Sequence, residues 1–267
     1  MDWPSPQGTM IKNFGWNDGG QPQLGILFNT DGSVTAAEGG ELLFFHNDDE
    51  NISASRLPSP LGSFTALDHG DGIISIYSRY ENRNNIPASR QVYRGESIGE
   101  AGISGWSSSK GFYFQLFDRK ERRWINPMMI ISPHENIRPP VIVSVTLKDS
   151  QGNMINPAEA KSIKQGRYTV YVDVNSGTPA VPLAPYRIIC SLNGSESDAL
   201  NFETYSSRNG SQVVYRNGLI PVQRVYALAP AYEAAEVSFT RGQATLEIIT
   251  QNITGGVRNA IFRLNVE

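Results

Sequence analysis

The side chains that most often perform catalysis are scarce in this sequence. It contains three histidines and one cysteine among 267 residues. His46 is followed by an acidic run at 48–50, and such a group could hold a cation, but its oxygens lack the spacing of a known calcium loop. A solvated acidic loop is therefore the better interpretation. His69 falls in an Asp-His-Gly-Asp-Gly turn and His134 in a proline-containing segment, so a turn position and an exposed position are expected for them.

Common catalytic motifs and long apolar runs are missing as well. The sequence shows no Ser-His-Asp order, nucleophile elbow, P-loop or dinucleotide fingerprint. The net charge of −3 gives no basic field for nucleic acid, and no apolar run approaches the roughly 20 residues that span a bilayer. Cys190 lies in an apolar stretch that predicts a strand, where a buried structural thiol is expected. The length suggests about two domains.

Residues 93–116 have the most distinctive spacing in the sequence. Glycines at 95, 99, 102 and 105 punctuate a serine-rich turn between two β runs. Glycine at this density indicates positive φ angles or close approach of two backbones. The second run, 112–117, is apolar at nearly every position. It therefore predicts a strand that is buried on both faces or whose side chains line a groove.

This stretch resembles the last motif block of the LytM/lysostaphin-type zinc endopeptidases, which cut peptidoglycan cross-bridges. That block reads approximately V-x-x-G-Q-x-I-G-x-x-G-x-S/T-G-x-S-S/T-G-x-H-x-H-F-E, and residues 94–99 and 102–108 match it. Other segments match further blocks in the family order: 3–16, 23–37, 64–80 and 124–128. The resemblance covers roughly residues 1–133 and implies an all-β domain of antiparallel sheets with a groove.

The resemblance also implies a zinc site in which every position has changed. The metal-ligand positions are assigned to Gln23, Leu27 and Phe114, and two helper histidines to Phe112 and Arg79. Leucine and phenylalanine offer no lone pair to a metal, and a glutamine amide is a weak ligand for zinc. Without a metal-bound water there is no nucleophile at neutral pH. The sequence therefore predicts a protein that is not an enzyme and holds no cofactor.

If the family fold is kept, the former substrate groove is the candidate binding site. Its candidate residues are Arg79, Trp106, Tyr77, Phe112, Gln23 and Arg83. Phe112 and Phe114 either form an aromatic pocket for a peptide segment or fill the empty metal cavity to restore packing, and packing is favoured. Arg79, Arg83 and Trp106 are the better binding candidates, because loop arginines and aromatics supply many interface hot spots.

The second half of the sequence predicts a different domain. Prolines in residues 134–140 indicate a semi-stiff linker. Beyond it, short runs with period two, such as Val-Tyr-Val-Asp-Val at 170–174, are separated by Asn-Gly turns. This pattern is typical of a β-sandwich. We therefore expect an all-β chain with a LytM-like domain at 1–133 and an immunoglobulin-like β-sandwich at 141–267.

The resemblance favours a catalytically inactive relative of the wall endopeptidases that binds or scaffolds in the bacterial cell envelope. Peptidoglycan or an envelope protein is the expected partner, and a periplasmic or extracytoplasmic location follows, with a signal peptide expected ahead of Met1. Two alternatives stay open. The chain could regulate or activate a separate peptidoglycan hydrolase, or it could be a structural subunit of an envelope assembly.

Overall fold

The computed structural model describes residues 1–47, 59–81, 89–132 and 138–267. Strands dominate these residues, which confirms the predicted all-β class. The only helical elements in the described ranges are a 3-10 turn at Pro127–Met129 and the short helix α1 at Val222–Val225. Within those ranges no helix is long and apolar enough to cross a membrane.

The chain forms two compact units, residues 1–14 with 24–132 and residues 15–23 with 133–267. The strands of the first unit are β1 Thr9–Lys12, β2 Ile26–Asn29, β3 Ser33–Thr35, β4 Gly40–His46, β5 Phe64–Asp68, β6 Ile73–Ser78, β7 Gln91–Val92, β8 Ser97–Glu100, β9 Phe112–Asp118 and β10 Arg123–Ile125. They pair with one another in antiparallel fashion.

Strand β9 is the centre of the main sheet in the first unit. Strand β6 pairs with one edge of β9. On the other edge, β2 pairs with residues 112–114 and β10 pairs with residues 116–118. Beyond β6 the sheet continues through β5 and β4 to β7, and β1 extends it beyond β2. Strands β3 and β8 form a separate two-stranded sheet. The apolar run that the sequence singled out is therefore a central strand.

The core of this unit lies on one face of β9. Side chains of directly paired residues share a face of a sheet, and successive residues alternate between faces. Phe112 stacks on Phe28 with ring centroids 4.9 Å apart, and Phe114 lies 5.2 Å from the ring of Tyr77. All four side chains are completely buried. The Tyr77 hydroxyl accepts a hydrogen bond of 2.8 Å from the N–H of Ala37, just after β3, so this face points toward the small sheet.

The second unit contains two sheets. Its strands are β11 Val141–Asp149, β12 Met154–Ile155, β13 Ser162–Ile163, β14 Gly166–Asn175, β15 Arg187–Leu192, β16 Ser195–Arg208, β17 Ser211–Arg216, β18 Leu219–Pro221, β19 Tyr232–Phe239, β20 Gly242–Gln251 and β21 Val257–Val266. One sheet runs β13-β21-β20-β15-β16-β17-β18 and the other β12-β11-β14-β19. Phe202 of the first sheet packs edge-on against Tyr232 of the second at 5.1 Å.

These two sheets agree with the sandwich arrangement predicted from period-two runs and Asn-Gly turns. Asn193, Asn209 and Asn217 each have the positive φ that such turns require. Cys190 is a buried free thiol in β15, as expected, and burial raises its pKa. The immunoglobulin-like class itself stays a prediction.

The segment 15–23 departs from the predicted domain boundary, because it belongs to the second unit. The buried Tyr226 hydroxyl donates a 2.7 Å hydrogen bond to the Gly15 carbonyl, and the Asn17 amide donates to the Ala231 carbonyl at 3.2 Å. Gly15 has a φ of +82°, and a Cβ there would lie 2.6 Å from the Phe202 ring. Buried polar groups need hydrogen-bond partners, and this segment supplies two of them to the sandwich.

Candidate functional site

The strand pairing separates two residues that the sequence had assigned to one metal site. Leu27 is directly opposite Tyr113, whereas its neighbour Ile26 is opposite Phe114. Directly opposite residues share a face, so Leu27 and Phe114 lie on opposite faces of the sheet. The assignment of Phe114 to a ligand position is therefore wrong. Phe112, on the same face as Phe114, is a core residue and does not occupy the cavity of a lost metal.

Residue-by-residue counting of the family block explains this error. From Gly105, the pattern G-x-S-S/T-G-x-H-x-H-F-E places its two histidines on Gly111 and Tyr113, and its final Phe-Glu on Phe114 and Gln115. The signal that could have found these positions was therefore present in the sequence. A shift of one residue along a strand moves every side chain to the other face, so the register decides which side chains belong to the site.

Tyr113 occupies the centre of the corrected site. It is 7% exposed, and its hydroxyl accepts a 2.9 Å hydrogen bond from the backbone N–H of Leu24. The guanidinium carbon of Arg79 lies 5.3 Å from the centre of its ring, within the range of a cation–π contact. Arg79 follows directly after β6 and has a φ of +71°, a left-handed conformation that ends the alternation of the strand. Leu27 lies beside Tyr113 and is 8% exposed.

The side chains at these positions do not fit a catalytic zinc ion. Leucine has no donor atom, and the Tyr113 hydroxyl already accepts the Leu24 hydrogen bond. Gly111 has no side chain, and a Cβ there would lie 2.0 Å from the Phe28 carbonyl oxygen, so a histidine could not enter without moving the backbone. In the described ranges, no group of three or more His, Cys, Asp or Glu side chains is arranged to hold a metal.

Gln23, the remaining ligand assignment and a candidate groove residue, belongs to the second unit. There its side-chain amide donates a 2.6 Å hydrogen bond to the carboxylate of Asp18. Tyr77 was predicted to line the groove, but it is fully buried and faces the core. Its burial raises the pKa of its hydroxyl to about 12. Arg83 lies outside the described residues.

Trp106 stands on a tight junction of two loops. Gly62 and Gly105 have φ angles of +64° and +69°, and a Cβ on either would lie 2.5 Å or less from the other's backbone nitrogen. The Ser63 N–H donates to the hydroxyl of Ser104 at 3.0 Å, and the Trp106 N–H donates to the Pro60 carbonyl at 3.2 Å. The indole side chain lies in solvent, and 73% of the residue is exposed.

This junction explains two of the glycines that the sequence singled out. Gly105 is needed for its left-handed φ and for the close approach to Gly62. Gly102 is needed for space, because a Cβ there would lie 2.0 Å from the Glu81 nitrogen. The Gly102 N–H also donates to the carbonyl of Arg79 at 3.1 Å. The backbones that carry Arg79 and Trp106 are thus fixed by the same set of loops.

Other residues with chemical potential have structural roles. His69 contacts the Gly39 carbonyl at 2.9 Å and the Ser75 hydroxyl at 2.7 Å through its two ring nitrogens, which agrees with a structural turn residue. The carboxylate of Asp118 accepts from the Glu121 N–H at 3.0 Å and pairs with Arg123, and these bonds lower its pKa. The basic run between β9 and β10 is accordingly a hairpin turn. The acidic run at 48–50 and His134 lie outside the described residues.

We expect Tyr113→Phe to lower the free energy of unfolding by about 1–2 kcal/mol, because the Leu24 N–H would lose its acceptor. Urea denaturation followed by tryptophan fluorescence measures this change. Tyr93→Phe is the matched control, since Tyr93 is 71% exposed in the same unit, and its effect is expected to stay within about 0.5 kcal/mol. Equal effects of the two variants would contradict the hydrogen bond to Leu24.

Comparisons with known proteins give partial coverage of the chain. A protein-family profile matches residues 139–267, and a search of curated proteins finds no match. Among solved structures, the catalytic domain of lysostaphin from Staphylococcus simulans is 19% identical over 46% of this chain and 91% of its own, with a TM-score of 0.37. A mutant catalytic domain of the prophage-encoded M23 protein EnpA from Enterococcus faecalis is 18% identical over 43% of this chain and 83% of its own, with a TM-score of 0.35.

A third similar structure is that of the SpoIIQ-SpoIIIAH pore forming complex, at 17% identity over 49% of this chain and 90% of the matched chain, with a TM-score of 0.37. Catalytic domains of the M23 type are thus among the solved structures that the search returns. Each of these three structures matches less than half of this chain.

Proposed function

We propose that this chain is a catalytically inactive relative of the LytM-type peptidases that binds peptidoglycan in the bacterial cell envelope. The observation that carries the proposal is the pair Leu27 and Tyr113 on one face of the sheet. They stand at ligand positions of the family motifs, and one has no donor atom while the other's hydroxyl accepts the Leu24 N–H. A zinc peptidase needs three protein ligands and a metal-bound water.

The binding part of the proposal rests on the loop junction described above. Trp106 is 73% exposed and Ile103, three residues earlier, is 66% exposed. Large apolar side chains in this position are costly to hydrate, and they mark interaction sites when they cluster on a fixed backbone. Tryptophan and arginine are also the residues that most often dominate binding energy. Arg79, fixed by the same loops, adds a positive charge for the carboxylates of wall peptides.

Loss of catalysis is tested with the purified protein, supplied with zinc in solution. Metal analysis after dialysis is expected to find far less than one zinc per chain, and muropeptides are expected to remain uncut. Muropeptides digested in parallel with a lysostaphin-type enzyme serve as the positive control. Stoichiometric zinc together with cleavage of the muropeptides would end the proposal.

Sedimentation with purified sacculi tests the binding site. Trp106→Ala is expected to weaken binding by about tenfold or more, equivalent to about 1.4 kcal/mol. Tyr93→Ala is the matched control, because Tyr93 is an equally exposed aromatic of the same unit at 71%, and it should bind like the unaltered protein. Arg79→Glu is expected to weaken binding and to reduce its dependence on salt.

Each outcome of this assay has a clear consequence. Binding that depends on Trp106 and not on Tyr93 supports a wall-binding role for the loop junction. If the unaltered protein does not sediment with sacculi, the peptidoglycan partner is rejected and an envelope protein takes its place. If Trp106→Ala and Tyr93→Ala both bind sacculi like the unaltered protein, the loop junction is not the binding surface.

A further inference from the structure

The second unit has a long strand edge that no strand covers within the described ranges. Strand β21 pairs with β20 along its whole length, but on its other side it pairs only with the two-residue strand β13, at Asn265 and Val266. The edge of residues 257–264 is therefore open. Its pairing with β20 has no register shift, so the edge is regular, and it contains no proline.

The hydrogen-bonding groups on this edge follow from the position of Glu267. Its N–H donates to the Ile163 carbonyl and its carbonyl accepts from the Gln165 N–H, both on the β13 side. Backbone groups of an antiparallel strand alternate between its two sides. The N–H and C=O of Asn259, Ile261 and Arg263 therefore point away from β20, toward the open edge. Unpaired groups of this kind are a template for a further strand.

A cleft adjoins the open edge. It has a volume of about 370 Å³, and it lies between the first half of β11, in one sheet, and β21, in the other. Its walls are Val141, Ile142, Val143, Ser144, Val145, Asn156, Ala158, Arg258, Asn259, Ala260 and Phe262. Val141 and Val143 are 53% and 60% exposed. A strand added beside β21 would place every second side chain in this apolar cleft.

Charge indicates which strand would fit. Arg258 is the single charged residue among the described residues of the cleft wall, whereas Arg263, five residues later on the same regular strand, lies on the opposite face. No acidic residue occurs between 257 and 264. Opposite charges placed across two strands stabilise their pairing, and like charges weaken it. An acidic side chain on the same face of an added strand would therefore meet Arg263 favourably, and a lysine there would be repelled.

We propose that the β21 edge of the second unit binds an extended acidic segment of a partner protein by strand addition. The segment would alternate apolar side chains, which enter the cleft, with acidic side chains on the opposite face, beside Arg263. Main-chain hydrogen bonds to Asn259, Ile261 and Arg263 would supply affinity, and the cleft would supply specificity. This site is separate from the loop junction of the first unit and does not depend on its wall-binding role.

The test uses the full chain and two fluorescein-labelled peptides of about nine residues, blocked at both ends, in which valines alternate with glutamates or with lysines. Fluorescence anisotropy is expected to show saturable binding of the glutamate peptide and about tenfold weaker binding of the lysine peptide. Arg263→Glu is expected to reverse this preference. Circular dichroism and thermal unfolding confirm that each variant is folded.

Ile261→Pro isolates the role of the backbone, because it removes one outward N–H and leaves the bonds to β20 in place. It is expected to weaken glutamate-peptide binding by about tenfold or more. Ile261→Ala removes the side chain but keeps the N–H, and its effect should be under about threefold. Absence of binding by the unaltered chain, or equal binding by the proline and alanine variants, overturns the proposal. So does a dimer in sedimentation velocity that Ile261→Pro dissociates, since the edge would then serve self-pairing.

Discussion

Phe114→Ala is expected to lower the free energy of unfolding by about 3–5 kcal/mol. The side chain is completely buried in β9 and packs against Tyr77, with their rings 5.2 Å apart. Truncation removes most of the buried apolar surface and leaves a cavity in a close-packed core. Urea unfolding of the full chain, monitored by fluorescence and circular dichroism, measures the loss in the first unit.

Phe44→Ala is the matched control for this prediction. Phe44 is also a strand phenylalanine of the main sheet, but it is 52% exposed, so its truncation is expected to cost less than about 1 kcal/mol. A loss of peptidoglycan binding by Phe114→Ala without a loss of stability would contradict the core assignment. That result would restore the interpretation in which this side chain lines a binding groove.

The architecture of this protein could be predicted from sequence because its signals are local. The alternation of apolar and polar residues predicted the strands of the second unit, and the Asn-Gly turns separated them where the structure has positive φ angles. Glycine spacing likewise indicated the close backbone approach at Gly105. Trp106, which the sequence marked as a loop binding candidate, is exposed in that turn. None of these predictions required knowledge of distant contacts.

The candidate site depended on information that is not local. The side chains that meet at Tyr113 are decided by its register against Leu27, and a one-residue shift exchanges the two faces of β9. Every residue from 112 to 116 is buried, so hydropathy could not show which face was the core. Gln23 was assigned to the first domain because the family motif is continuous there. Its segment joins the second unit through partners such as Tyr226, about two hundred residues away.

Alkaline pH is expected to unfold the protein between about pH 10 and 12, because several tyrosines are buried in their neutral form. Burial raises the pKa of Tyr77 to about 12, from an ordinary value of 10.0. It also raises the pKa values of the fully buried side chains Tyr80, Tyr205, Tyr226 and Tyr232. A pKa that is higher in the folded state means that the folded protein holds the proton more tightly than the unfolded chain does.

The stability contributed by Tyr77 is therefore fully present below about pH 10 and is lost as the pH rises toward 12. The difference between a pKa of 10.0 and one of about 12 corresponds to about 3 kcal/mol. Free energies of unfolding from urea titrations at several pH values measure the loss, and absorbance near 295 nm follows tyrosinate formation. Tyr77→Phe should reduce the loss over this range by about 3 kcal/mol, whereas Tyr93→Phe, at an exposed position, should leave it unchanged. All eleven tyrosines titrating together near their ordinary pKa while the protein stays folded would contradict this prediction. The tyrosine hydroxyls would then be accessible to water, and Tyr77 would not be buried as described.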